Sequence, residues 1–149
     1  MASTGYHDTG EEFIQKTAFR QDLVTRPVGI DILLYQDSTD SLDDSDDVDA
    51  ISTEPETGNY TRVTAALDST DIDIRVQEGD IDARPTVTFD VTDTTESVDA
   101  YAAVIEFQSE IAGDDAASQH LLASAPLDEG TVDLGPKNDL QVTVDISLD

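Results

Sequence analysis

The sequence predicts a mainly β fold: a single β-sandwich, Ig-like or jelly-roll/Greek-key in topology, preceded by a short N-terminal helix or docking arm. Three observations carry this expectation. After Pro27, apolar and polar residues alternate in short runs, the period of a strand buried on one face. Gly, Pro, Asp and Asn separate those runs at short intervals, as in all-β domains. Strand-then-helix alternation and any fixed-period repeat are missing from the sequence, which removes doubly wound and solenoid folds.

Residues 1–26 form the arm in this reading and 27–149 the sandwich domain. In the arm, Thr9 stands three residues before Glu12, the spacing of a capping box. Phe13, Ile14, Thr17, Ala18 and Gln21 recur at helical spacing and Arg26-Pro27 stops the run, so a helix is expected near residues 10–23. Val28 to Tyr35 reads as a dense strand interrupted by Asp31. Residues 36–59 read as a long polar loop, and Tyr60 to Leu67 as a second strand. Ile72, Ile74 and Val76 alternate with Asp71, Asp73 and Arg75; Val87, Phe89 and Val91 follow Pro85 on one side of a further strand. Val98 to Phe107 is apolar on both parities, as a central strand should be. His120 to Ala125 is a short strand. Leu140, Val142, Val144, Ile146 and Leu148 alternate strictly, giving the clearest strand of all.

Charge bounds the function. The 149 residues carry 34 acidic and 7 basic side chains, a net of −27, while Ile, Leu, Val and Phe number 37. That aliphatic content suffices for one core. The surface charge is tolerable in concentrated salt, where the Debye length falls to about 3 Å at 1 M. With lysine confined to Lys16 and Lys137, the composition is that of a protein from brine. A polyanion is a poor match for nucleic acid or anionic lipid, so neither is an expected partner. The chain has no cysteine, hence neither a disulfide nor a thiolate metal site. Its longest apolar run, Ala100 to Ile105, is far short of the roughly 20 residues of a membrane span. The N-terminus shows no basic-then-apolar leader; if the protein leaves a cell, export within an assembled particle is one expected route. Residues 1–26 hold four acidic and three basic residues, a net of −1 that leaves −26 on the remainder. A nearly neutral, Phe-bearing segment on an acidic body reads either as a docking element or as a helix packed on its own domain.

No catalytic residue is singled out. The two histidines, His7 and His120, lie outside any Gly-x-Ser-x-Gly elbow and read as structural or surface groups. Among 34 acids, no pair is distinguished as a glycosidase dyad. The best metal candidates are Asp37, Asp40, Asp43, Asp44 and Asp46, oxygen donors suited to Ca²⁺ or Mg²⁺ in a flexible loop. The alternative is a solvated loop with diffuse counterions, because the EF-hand Gly and Glu are out of place. No phosphate-binding glycine loop occurs, and no cofactor is expected.

The order of features from Val24 onward resembles that of tailed-phage virion proteins of the tail-fibre or capsid-decoration type. The matching pieces are Ile32-Leu33-Leu34-Tyr35, Gly58-Asn59-Tyr60-Thr61-Arg62, Val87-Thr88-Phe89, Val98 to Phe107, Leu121-Leu122 with Leu127, and Leu140 to Leu148. Thr95-Glu96-Ser97 stands where such proteins commonly carry Trp-Gly. The resemblance implies architecture and assembly in a virion, with Tyr60 filling the core edge and Arg62 pairing with an acid. Together with the acidic surface it implies a tailed virus of haloarchaea. The expected role is a non-enzymatic capsid decoration or turret subunit, homo-oligomeric and bound to the major capsid protein or other virion proteins. The alternatives are a tail fibre, baseplate or adhesion component bound to tail proteins, and a halophilic carbohydrate- or Ca²⁺-binding module. Deleting residues 1–26 is expected to leave a folded domain that no longer docks.

Overall fold

The computed structural model describes residues 5–20, 29–66, 74–77, 80–114 and 116–148, and of 74–77, 80–83 and 146–148 the backbone. Among the described residues the protein is mainly β, with antiparallel sheets and one helix longer than a single turn. The elements are β1 (Gly5–Tyr6), α1 (Asp8–Phe19), β2 (Gly29–Tyr35), α2 (Asp37–Asp40), a 3₁₀ turn (Val48–Ala50), β3 (Val63–Ala66), β4 (Ile74–Gln77), β5 (Asp80–Ala83) and β6 (Thr86–Asp90). They continue with β7 (Ser97–Val98), β8 (Ala100–Phe107), β9 (Ser118–Pro126), β10 (Val132–Asp133), β11 (Asp139–Thr143) and β12 (Ile146–Leu148).

A five-stranded sheet in the order β1-β9-β8-β2-β3 forms the centre, joined by the pairs β10-β7 and β11-β6 and the triplet β12-β5-β4. β8 lies between β9 and β2, and seven of its eight residues are buried. Its apolar residues on both parities have a physical cause: the sheet is covered on both faces. Ile30, Ile32, Leu34, Ala103, Ile105 and Phe107 share one core with Phe89, Val91, Val132, Leu140 and Val142. On the opposite face Leu33, Tyr35, Ala102, Val104 and Leu121 pack with Leu42, Val48, Ala50 and Ile51. The aspartate-rich segment is therefore a cover for the sheet, pinned through Leu42, which is 1% exposed.

Two expected strands are each divided. The Val98–Phe107 strand breaks at Asp99, whose carboxylate accepts from the N–H groups of Asp37 and Ser38 and so caps α2. The terminal strand ends at Thr143 and restarts at Ile146, opposite Arg84 and Pro85. Proline has no N–H to donate; Val144 N still donates to the Pro85 carbonyl, whereas Asp145 N turns to the Tyr101 hydroxyl. β1, β5 and β10 were not expected, since a two- to four-residue strand carries too little alternation to read. Asp71, Ile72 and Asp73 of one expected strand, and Leu67 of another, lie outside the described residues.

The helix runs Asp8–Phe19, two residues earlier at its start than residues 10–23; Gln21 and the Arg26-Pro27 stop lie outside the described residues. The expected capping box does not form, because tertiary partners take both of its side chains. His7 is the N-cap. Thr9 Oγ1 donates to the Leu121 carbonyl at 2.7 Å, and Glu12 reaches the loop after β8. Gly10 permits the close approach of α1 to β9, for a Cβ there would stand 2.1 Å from the Leu122 oxygen.

Candidate functional site

Both histidines are buried in polar surroundings, and His120 joins three segments of the chain. His120, near the start of β9, has a side chain only 3% exposed. Its Nδ1 lies 2.5 Å from Asp47 Oδ2 and its Nε2 2.7 Å from Asp114 Oδ2. Ser118, two residues earlier and therefore on the same face of the strand, places Oγ 3.0 Å from Nε2 and donates to Asp114 Oδ2 at 2.5 Å. Asp47 is itself fixed, its Oδ1 accepting from Val48 N and Leu121 N. The Phe107 ring packs edge-on against the imidazole at 4.9 Å between centroids.

Ser118, His120 and Asp47 have the contacts of a nucleophile, base and orienting acid. Asp114 changes what they can do. A base must offer Nε2 a lone pair toward the serine, but the carboxylate at 2.7 Å fills that direction with an acceptor. The serine proton is directed to Asp114 as well. The group therefore acts as a clamp joining the segment around Asp47, the loop around Asp114 and β9. Two residues of this clamp were out of reach of sequence reading. Ser118 could have been paired with His120 from their period-2 spacing, but Asp47 and Asp114 arrive through loops.

His7, fully buried, sets Nδ1 3.2 Å from the Asp46 carbonyl and Nε2 2.8 Å from Ser124 Oγ. A carbonyl only accepts, so Nδ1 carries the proton, and in the neutral ring Nε2 accepts from the serine. This constellation is sealed inside the protein, where it ties β1 and α1 to β9.

Of the candidate aspartates, Asp40, Asp43 and Asp46 accept bonds from their own loop. The Asp37 N–H bonds to Asp99, and one carboxylate oxygen of Asp37 lies 3.5 Å from the Tyr35 hydroxyl. Asp40 accepts from the N–H and hydroxyl groups of both Ser52 and Thr53. Its burial alone would raise its pKa, and these bonds hold it below the usual carboxylate range. Asp43 is lowered by the Ser45 hydroxyl and N–H. Asp46 accepts from Asp43 N, and the Asp44 carbonyl accepts from Asp8 N. Among the described residues, no three His, Asp or Glu side chains converge in a set able to hold a metal ion.

The Gly-x-Tyr-x-Arg element organises the strand entry. Gly58 has φ +65° and lies against Asp93 and Thr94 so closely that a Cβ would fall 2.3 Å from their backbone. Tyr60, just before β3, stacks on Phe89 at 5.8 Å, and its hydroxyl accepts from Leu34 N; burial pushes that hydroxyl's pKa up. Arg62 grips Glu54 with two parallel bonds of 2.8 and 2.7 Å.

At the end of α1, Lys16 pairs with Glu12 at 3.0 Å and Arg20 with Glu110 at 2.6 Å. The two exposed large apolar residues among the described ones, Phe19 and Ile111, flank this network at 84% and 60% exposure. No known protein family, curated protein or solved structure matches the chain.

Proposed function

We propose that the protein is a non-enzymatic structural subunit of a virion, a capsid decoration or turret component of a tailed virus living in brine. Its two-layer sandwich sets the five-stranded sheet against β6–β11 and β7–β10, and it presents carboxylates to solvent. The end of α1 with the loop after β8 meets the shell. The observation that carries this reading is the placement of Phe19 and Ile111 beside mutually neutralised charges on a chain of net −27. Apolar contact there is opposed by little local charge, and salt strengthens it. The order of sequence motifs supports a virion, and the Asp114-blocked imidazole supports a scaffold over a hydrolase. A ring of copies around a symmetry axis is the expected assembly.

Removing residues 1–26 is not a clean test of attachment, because Tyr6 and Phe13 pack on the main core and His7 is buried. The double substitution Phe19→Asp/Ile111→Asp touches exposed side chains only. Virus carrying it should assemble particles that lack the protein while the purified variant keeps its melting temperature. Full incorporation of the variant would remove the proposed attachment surface. Mass-spectrometric copy counting in purified particles separates a decoration role, with dozens to hundreds of copies, from a tail-tip role with a few.

A further inference from the structure

Among the described residues, the β6–β11 pair leaves one side of β11 without a pairing strand. Leu140 lies opposite Phe89 and Val142 opposite Val87. Val91 N donates to the Asn138 carbonyl and Val144 N to the Pro85 carbonyl, so the even-numbered residues exchange main-chain bonds with β6. Asp139, Gln141 and Thr143 consequently aim their N–H and C=O groups the other way, where no strand pairs with β11 among the described residues. The outer side of β9 is treated differently. There β1 pairs with it, the Leu122 carbonyl accepts from His7 N, and Asp47 and Thr9 take Leu121 N and O. The β9 edge is closed from Leu121 to Ser124, whereas among the described residues the β11 edge offers unpaired main-chain groups as a template.

A half-open cleft of about 140 Å³ lies beside that template, lined by Leu127, Val132, Leu140 and Val142 with Asp128 and Glu129 also in its wall. Those four aliphatic residues are each 5–8% exposed, and both acids are exposed. Cofactor pockets run to about 300–1,000 Å³, so this volume suits one aliphatic side chain.

We propose that the β11 edge binds an extended segment of a different polypeptide by strand addition, the stem of a lysine or arginine entering the cleft and its cation meeting Asp128 and Glu129. Main-chain bonds to Gln141 and Thr143 supply the register, and the cleft selects the side chain. The partner is basic at this segment because the acids of the cleft complement a cation. A second copy is disfavoured: edge-to-edge pairing would bring two sets of Asp128, Glu129 and Asp139 together. The edge and the cleft would select the same partner chemistry whether or not the protein belongs to a virion.

The probe is a capped pentapeptide alternating valine with a central lysine, titrated into the full chain in molar KCl and followed by amide NMR and hydrogen exchange. Saturable shifts at Leu127, Leu140 and Val142, with slowed exchange at Gln141 and Thr143, are expected. Asp128→Asn/Glu129→Gln should weaken binding by about tenfold or more, as should glutamate in place of the peptide's lysine. Gln141→Pro removes an outward N–H and none from the β6 ladder, so it should abolish binding while β6–β11 amides stay protected. A peptide N-methylated at alternate residues gives the same block without altering the protein. Absence of saturable shifts, equal binding of the glutamate peptide, or undiminished binding of the N-methylated peptide overturns the proposal. So does concentration-dependent self-association through this edge without peptide, which would make the occupant a second copy.

Discussion

His120 shows how a single side chain can hold three segments together. Both of its nitrogens face carboxylates, and each carboxylate is tied to further groups. His120→Ala should lower unfolding free energy by about 2 kcal/mol, because Asp47 and Asp114 lose their shared partner yet keep some access to water. Ser118→Ala, which leaves the two ring contacts in place, should cost less than about 1 kcal/mol. Denaturant titration of both variants in molar KCl checks the ranking; a larger loss from the serine would contradict the clamp. Gly10→Ala should cost about 3 kcal/mol, since a methyl cannot share space with the Leu122 carbonyl. The sequence offered little at this scale. Gly10 follows Thr9 as an ordinary helix-start residue would, and only the packed sheet reveals why a side chain is forbidden.

At the scale of elements, legibility followed the range of the forces involved. β6, β8 and β9 were readable because burial writes itself into alternation or into continuous apolar runs. The break between β11 and β12 was not, because its cause is Pro85 on a strand far away in sequence. The cap of α1 failed for the same reason: Glu12 bonds Ser109, Glu110 and Ile111 rather than its own helix start. This docking has a pH signature. Burial would raise the Glu12 pKa, but the bonds from Ser109, Glu110, Lys16 and Ile111 lower it overall. A carboxylate lowered in the folded state contributes stability above its unfolded pKa of about 4.3 and loses it as pH falls through the folded value. Amides of residues 8–19 should therefore lose exchange protection on acidification below about pH 4. Glu12→Gln should start less protected and respond less to the same acidification. β11 provides a second contrast: Gln141→Pro should change stability by about 1 kcal/mol or less, whereas Val142→Pro should cost about 3 kcal/mol by removing a ladder bond. Thermal melts of the two variants test the even–odd assignment independently of any ligand.

The whole molecule sets a short-range scaffold against a long-range repulsion. Two apolar clusters cover both faces of the central sheet, while 34 acids oppose 7 bases. Some acids are satisfied locally, as Asp40 is by Ser52 and Thr53 and Glu54 by Arg62, and those contacts lie inside the distance over which salt screens. Repulsion among the rest extends across the surface and is screened when the Debye length shrinks from about 10 Å at 0.1 M to about 3 Å at 1 M. The melting temperature should rise steeply between 0.1 and 1 M salt and more slowly thereafter, when only the strengthening of apolar burial remains. KCl and NaCl should act alike at equal ionic strength if diffuse screening is the cause. The Asp37, Asp40, Asp43, Asp44 and Asp46 loop can be tested in the same melts: millimolar CaCl₂ added to 2 M KCl changes ionic strength little, so a melting shift there requires a discrete site. With the carboxylates of Asp40, Asp43 and Asp46 already bonded to the loop itself, no shift is expected. A Ca²⁺ shift abolished by Asp43→Asn would assign the ion to that loop and make its charge more than a hydrated cover.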